Sequence, residues 1–153
     1  MGKSLLIFAI KVTCLLSTDI NARAITWTGA VSSDWMNRTN WSPMTVPGSG
    51  DTVLVASSSV VAGPGSVFST LNWSGGTISG TLNIVAGSVL NIFGSGDRAM
   101  YGTFNNSGTI NCTNQGNLVL TGYQPRINNL AGGMFLVQND SALQPGYGTT
   151  DPL

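Results

Sequence analysis

Three tryptophans, Trp27, Trp35 and Trp41, fall within fifteen residues, with Asp34 and Asp51 close by. Indole faces beside carboxylates suit a sugar platform: the ring stacks on the apolar face of a pyranose and the carboxylate accepts from its hydroxyls. These five residues are the candidate glycan-binding set. The competing expectation is a lid, in which each indole buries on the order of 200 Å² over the end of a core. The lid is preferred, because a short segment at the terminus of a repeat array needs such bulk for itself.

Chemistry beyond binding is poorly provided for. The chain has no His and no Glu, and after residue 24 its acids are Asp34, Asp51, Asp97, Asp140 and Asp151. Glycoside hydrolysis needs two carboxylates at a set separation across one cleft, and no two of these recur in a register that aligns them. After residue 24 there is also no Lys, which removes a common lyase base. Serine nucleophiles lack a His partner. Cys112 falls where Ile84 does in the repeat described below, which makes it a packed thiol. Zinc sites need several His or Cys ligands. Asp51 or Asp140 could hold calcium weakly, but no Asp-rich loop of a calcium motif is present. The expectation is no catalytic residue, no metal and no cofactor.

The first 24 residues read as a secretory signal peptide. Lys3 precedes the apolar runs "LLIFAI" and "VTCLLS", and Ala22-Arg23-Ala24 supplies small residues around a cut. Cleavage after Ala24 would leave three Arg against five Asp, a net charge of −2. That balance excludes nucleic acid, whose binding rests on neutralising phosphates, and disfavours an anionic membrane surface. With the leader gone, no membrane insertion is expected, and the predicted location is extracellular.

The elements that would position these residues are strands. Gly, Ser, Thr and Asn account for 67 of the 153 residues, and apolar residues reach 42%. Small, polar and β-branched residues favour strands joined by tight turns. "GTLNIVAGSVLNIFG" from Gly80 aligns without a gap to "GTINCTNQGNLVLTG" from Gly108. Leu82, Ile84, Leu90 and Ile92 meet Ile110, Cys112, Leu118 and Leu120, each pair alternating apolar with polar. Related copies begin at Val53 and Phe135, so the predicted unit is about 28 residues. Three short strands per unit, stacked on the next unit at roughly 4.8 Å, bury a shared core that one unit could not bury alone. The expected fold is all-β, a right-handed parallel β-helix, with Val53, Leu82, Ile110 and Phe135 in one column and Asn83 and Asn111 in one amide ladder. An antiparallel sandwich or barrel is the alternative. The expected organisation is a signal peptide at 1–24, a Trp-rich N-terminal cap at 25–51, coils over 52–144 and a truncated or disordered tail at 145–153.

The stretch Trp27-Thr28-Gly29, Trp35, Asn40-Trp41, Val46-Pro47-Gly48 and Asp51-Thr52-Val53 resembles the mature N-terminal region of bacterial secreted and cell-surface β-helical repeat proteins of autotransporter-like type. The phrases "GTFNNSGTI" and "INNLAGG" resemble their Asn- and Gly-rich repeats. A fainter similarity to the G8 module rests on the W…VP…GD-x-V portion. The resemblance implies a β-helix and a surface setting, and little about activity. The expected function is a non-catalytic structural or adhesive module, a fragment of a longer chain whose partners are further coils of that protein, cell-surface glycans or other surface proteins. A carbohydrate-binding or polysaccharide-degrading β-helix is the alternative.

Overall fold

The computed structural model describes residues 22–113, 115–138 and 143–146. Residues 1–21 of the expected signal peptide at 1–24, Asp140, and residues 147–153 of the expected tail lie outside the described residues.

The strands follow the alternation. They are β1 (Ala24–Trp27), β2 (Trp41–Ser42), β3 (Thr52–Val55), β4 (Ser59–Ala62), β5 (Thr70–Trp73), β6 (Thr77–Ile84), β7 (Val89–Ile92), β8 (Arg98–Asn106), β9 (Thr109–Cys112), β10 (Leu118–Asn129), β11 (Met134–Val137) and β12 (Leu143–Pro145). One short 3-10 turn, Arg38–Asn40, precedes β2, and no α-helix occurs among the described residues. The chain winds alternately through a seven-stranded sheet, ordered β11-β9-β7-β5-β3-β1-β2, and a five-stranded sheet, ordered β12-β10-β8-β6-β4. All strand pairs are parallel except β1 with β2. The fold is a parallel β-helix of about four turns.

The pitch differs from the one the sequence predicts. Thr52 pairs with Thr70, Thr70 with Val89, Val89 with Thr109 and Thr109 with Met134, steps of 18, 19, 20 and 25 residues. The inward column is Val53, Leu71, Leu90, Ile110 and Phe135. Leu82 is not in it; it lies on the other sheet beside Phe104. The expected stack of Leu82 on Ile110, and of Asn83 on Asn111, is therefore wrong.

The reason lies in how the long strands bend. In β6 the buried positions are Ile78, Leu82 and Ile84, and the alternation skips Gly80. Gly80 has φ of 82°, and its pairing partner Gly102 in β8 has φ of 121°. Each long strand is thus two limbs meeting at a glycine, and one winding holds three limbs, as expected. A shift of 28 residues moves a site one winding and one limb further. Every limb faces the same core, so every limb carries the same apolar–x–apolar code.

The interior is apolar throughout the first turns. Val53, Val55, Val60, Leu71, Trp73, Ile78, Leu82, Leu90, Ile92, Met100, Phe104, Ile110 and Leu118 are all fully buried. Burying one such aliphatic side chain contributes roughly 1.5–3 kcal/mol. The core thins toward the last winding, where Leu120, Ile127 and Phe135 are only partly buried. Pro145, placed in the tail by the sequence reading, ends β12 beside Leu120.

Candidate functional site

The cap is built around a buried amide. Asn40, which the sequence reading named only as part of the resemblance, is fully buried. Its Oδ1 accepts from the backbone N–H groups of Val31 and Ser32 at 3.0 and 2.9 Å. Its Nδ2 donates to Ser32 Oγ and to the Asp34 carbonyl, both at 2.9 Å. Its own carbonyl accepts from the backbone N–H groups of Thr28 and Gly29. Most of these are backbone groups that an irregular segment must satisfy somewhere, and one residue gathers them through its side chain and its carbonyl, folding residues 28–40 into a loop that holds the tryptophans.

Trp35 and Trp41 meet edge to face with centroids 4.8 Å apart, and Trp27 meets Trp41 similarly at 4.7 Å. Trp35 also reaches Phe68 in the first winding, at 6.4 Å. The three indoles are between 0% and 3% exposed. Stacking on a sugar requires a ring face open to solvent, and these have none. The lid is what the structure contains; the glycan platform of Trp27, Trp35 and Trp41 is not formed.

The cap also closes the leading edges of both sheets. On the first, β1 runs parallel to β3, and the two-residue β2 finishes the edge antiparallel. On the second, Val61 N–H donates to the Ser33 carbonyl at 2.7 Å and Trp35 N–H to the Val61 carbonyl at 3.2 Å. Open edges invite pairing with other chains, and a very short or irregular covering strand prevents it.

The two acids of the candidate set do different work. Asp34 is exposed, and its Oδ1 accepts from the Met36 N–H at 2.9 Å, closing a turn. Asp51 is buried and bound. Its Oδ1 accepts from Arg23 Nε at 2.9 Å and from the Arg23 backbone N–H at 3.2 Å. Its Oδ2 accepts from Arg23 Nη2 at 2.6 Å and from the Gly48 N–H at 2.7 Å. The Arg23 hydrogen bonds, with that of Gly48, hold the Asp51 carboxyl well below the usual carboxylate range, at about 2, against the opposing effect of burial. A carboxylate this fully engaged is a structural staple, with no oxygen left to serve a ligand.

Arg98 and Asp97 are likewise engaged by the backbone. Arg98 is buried; its Nη1 donates to the carbonyls of Gly96 and Asp97, and its Nη2 to that of Phe93 at 2.7 Å. Asp97 Oδ1 accepts from the backbone N–H of Asn117 in the next winding at 2.7 Å. Arg98 lies beside Leu118 and Arg126 beside Thr103, so the 28-residue shift that separates the two arginines does not stack them. Cys112 is buried above Ile92, as a packed thiol should be. Among the described residues no three His, Cys, Asp or Glu side chains gather as a metal site would require.

The outer face of the first sheet carries the most regular polar surface. Asn72, Asn91 and Asn111 lie in register on β5, β7 and β9. Asn91 Nδ2 donates to Asn72 Oδ1 at 2.9 Å and Asn111 Nδ2 to Asn91 Oδ1 at 3.0 Å. A second column on the other sheet joins Asn83, Asn105 and Asn128 through bonds of 2.9 and 2.8 Å. Amide ladders were expected, but Asn83 and Asn111 belong to different ones. Beside the first column runs a shallow groove of about 430 Å³ lined by Asn72, Asn91, Phe93, Asn111, Thr113 and Gln138. Its lining carries no charge, and Phe93 is partly open to solvent. The sequence reading missed this groove, although the spacing of Asn72, Asn91 and Asn111 marks the winding that creates it.

No family model, no curated protein and no solved structure matches the chain. Among the described residues no helix is long and apolar enough to cross a membrane.

Proposed function

We propose that this chain is a non-catalytic structural or adhesive module of a secreted or surface-exposed β-helical protein. The observation that supports this best is where the polar side chains are spent. The buried acid Asp51 and both Asn columns bond to neighbouring windings of the same molecule, and the buried cation Arg98 bonds to carbonyls of its own loop. Catalysis asks for groups held ready until substrate arrives, and the Asp51 pair and the Asn columns hold windings together instead. The leader pattern in residues 1–24 supports export, and strands β11 and β12, each paired on one side only among the described residues, suit extension by a further winding. The test is a reducing-sugar and unsaturated-product assay over a panel of polysaccharides, run beside adhesion of the exported protein to cells. Adhesion without turnover is expected; turnover abolished by an Asp substitution would overturn the reading.

A second reading, carbohydrate binding, is favoured by one feature. The uncharged groove pairs an accessible aromatic ring, Phe93, with a row of amides. Such a lining fits a neutral sugar chain, whose hydroxyls pair with amides and whose faces stack on rings. The five-residue cap set is not offered for this role. A neutral-glycan array that shows affinity lost in Phe93→Ala would favour this reading over the structural one.

A further inference from the structure

Residues Arg23 and Ala24 belong to the folded body. Ala24 is the first residue of β1 and pairs with Thr52, and the Thr52 N–H donates to the Arg23 carbonyl at 2.8 Å. Asp51 receives four hydrogen bonds, three of them from Arg23 and one from Gly48. A cut after Ala24 would strip three of those four donors from a carboxylate whose side chain is 3% exposed. Removing one member of an ion pair forfeits the stabilisation that its charge-assisted hydrogen bonds supply.

We propose that the leader is removed between Ala22 and Arg23, two residues earlier than the Ala22-Arg23-Ala24 pattern first indicates, and that the new N-terminal amine joins the ion pair with Asp51. This rests on the reading of residues 1–24 as a secretory leader. Ala22 meets the need for a small residue just before the cut, and Ile20, two positions earlier, is uncharged. Water adds across the Ala22–Arg23 peptide bond under a host leader peptidase: its hydroxyl goes to the Ala22 carbonyl carbon and its hydrogen to the Arg23 nitrogen. The amine so released takes up a further proton from solvent at neutral pH. That nitrogen already lies 3.2 Å from Asp51 Oδ1. Processing therefore changes a neutral N–H donor into a cationic one at a site built to receive it, and adds a second positive charge beside the Arg23 guanidinium.

The test is intact mass and N-terminal sequencing of the full chain exported from a bacterial secretion host, with Ala22→Leu and Ala24→Leu as probes. Both alanines are exposed, so neither substitution disturbs the core. The expected product begins at Arg23, persists in Ala24→Leu and is lost in Ala22→Leu. A product beginning at Ile25 overturns the cut position while leaving export standing. An exported chain that still begins at Met1 overturns the leader and the cut together. As a second measure, a chain started at Arg23 should unfold at a higher denaturant concentration than one started at Ile25; equal midpoints overturn the role given to the Arg23–Asp51 pair.

Discussion

The indole N–H of Trp41 donates to the backbone carbonyl of Trp35 at 2.7 Å, while the rings of the two residues meet edge to face. One contact thus fixes both the position and the tilt of the lid. The indole N–H groups of Trp27 and Trp35 find no acceptor among the described residues, which makes the Trp41 bond the polar anchor of the cluster.

Replacing Trp41 tests that anchor in two steps. Trp41→Phe keeps a ring but loses the bond, and should cost about 1–3 kcal/mol. Trp41→Ala opens a cavity as well and should cost about 3–5 kcal/mol. Urea unfolding of each variant measures the difference, and a Trp41→Ala variant as stable as the parent would show that the cluster is not a lid.

Stability should fall in acid through Asp51. Its folded pKa, about 2, lies below the unfolded value, so its contribution is complete above about pH 4 and is lost as pH falls toward 2. The shift corresponds to about 2 kcal/mol. Unfolding midpoints measured from pH 6 down to pH 2 should decline in the parent and decline less in Asp51→Asn, which starts lower.

The bend at Gly80 should tolerate no side chain. A Cβ there would run into the Ala62 carbonyl oxygen, and the positive φ adds strain of its own. Gly87 shares the positive φ but has open space around it. Gly87→Ala should cost about 1 kcal/mol, from conformation alone, and Gly80→Ala clearly more. Matched denaturation curves for the two variants separate close approach from backbone strain.

The Asn columns can be dissected by position. Asn91 both donates and accepts within its column, whereas the Asn111 side chain, among the described residues, makes one such bond, to Asn91. At about 0.5–1.5 kcal/mol per hydrogen bond, Asn91→Ala should cost roughly twice as much as Asn111→Ala. Equal losses would mean that the column adds little beyond ordinary surface polarity.

Much of the fold was legible because burial imposes alternation. "TLNI", "VLNI" and "TINC" each declare an inward face, and stacked limbs followed from their recurrence. The pitch was not legible from the best sequence match, since limbs of different sheets read alike to a search for apolar–x–apolar. Residues under stricter demands kept the true period: Gly80 and Gly102 share one bend, and Asn72, Asn91 and Asn111 share one column. The lid could be read from indole bulk alone. The partner of Asp51 could not, because Arg23 had been assigned to the leader, and the role of Asn40 emerges only once its loop is closed in space.

In both three-membered Asn columns the amide hydrogens point back toward the earlier winding. The side-chain dipoles therefore line up like a row of arrows. One extremity, at Asn72, offers hydrogens, and the other, at Asn111, offers lone pairs. Leu54 on β3 and Leu136 on β11 stand next in register beyond these two extremities, so an apolar side chain of the same molecule closes the row of arrows at each end.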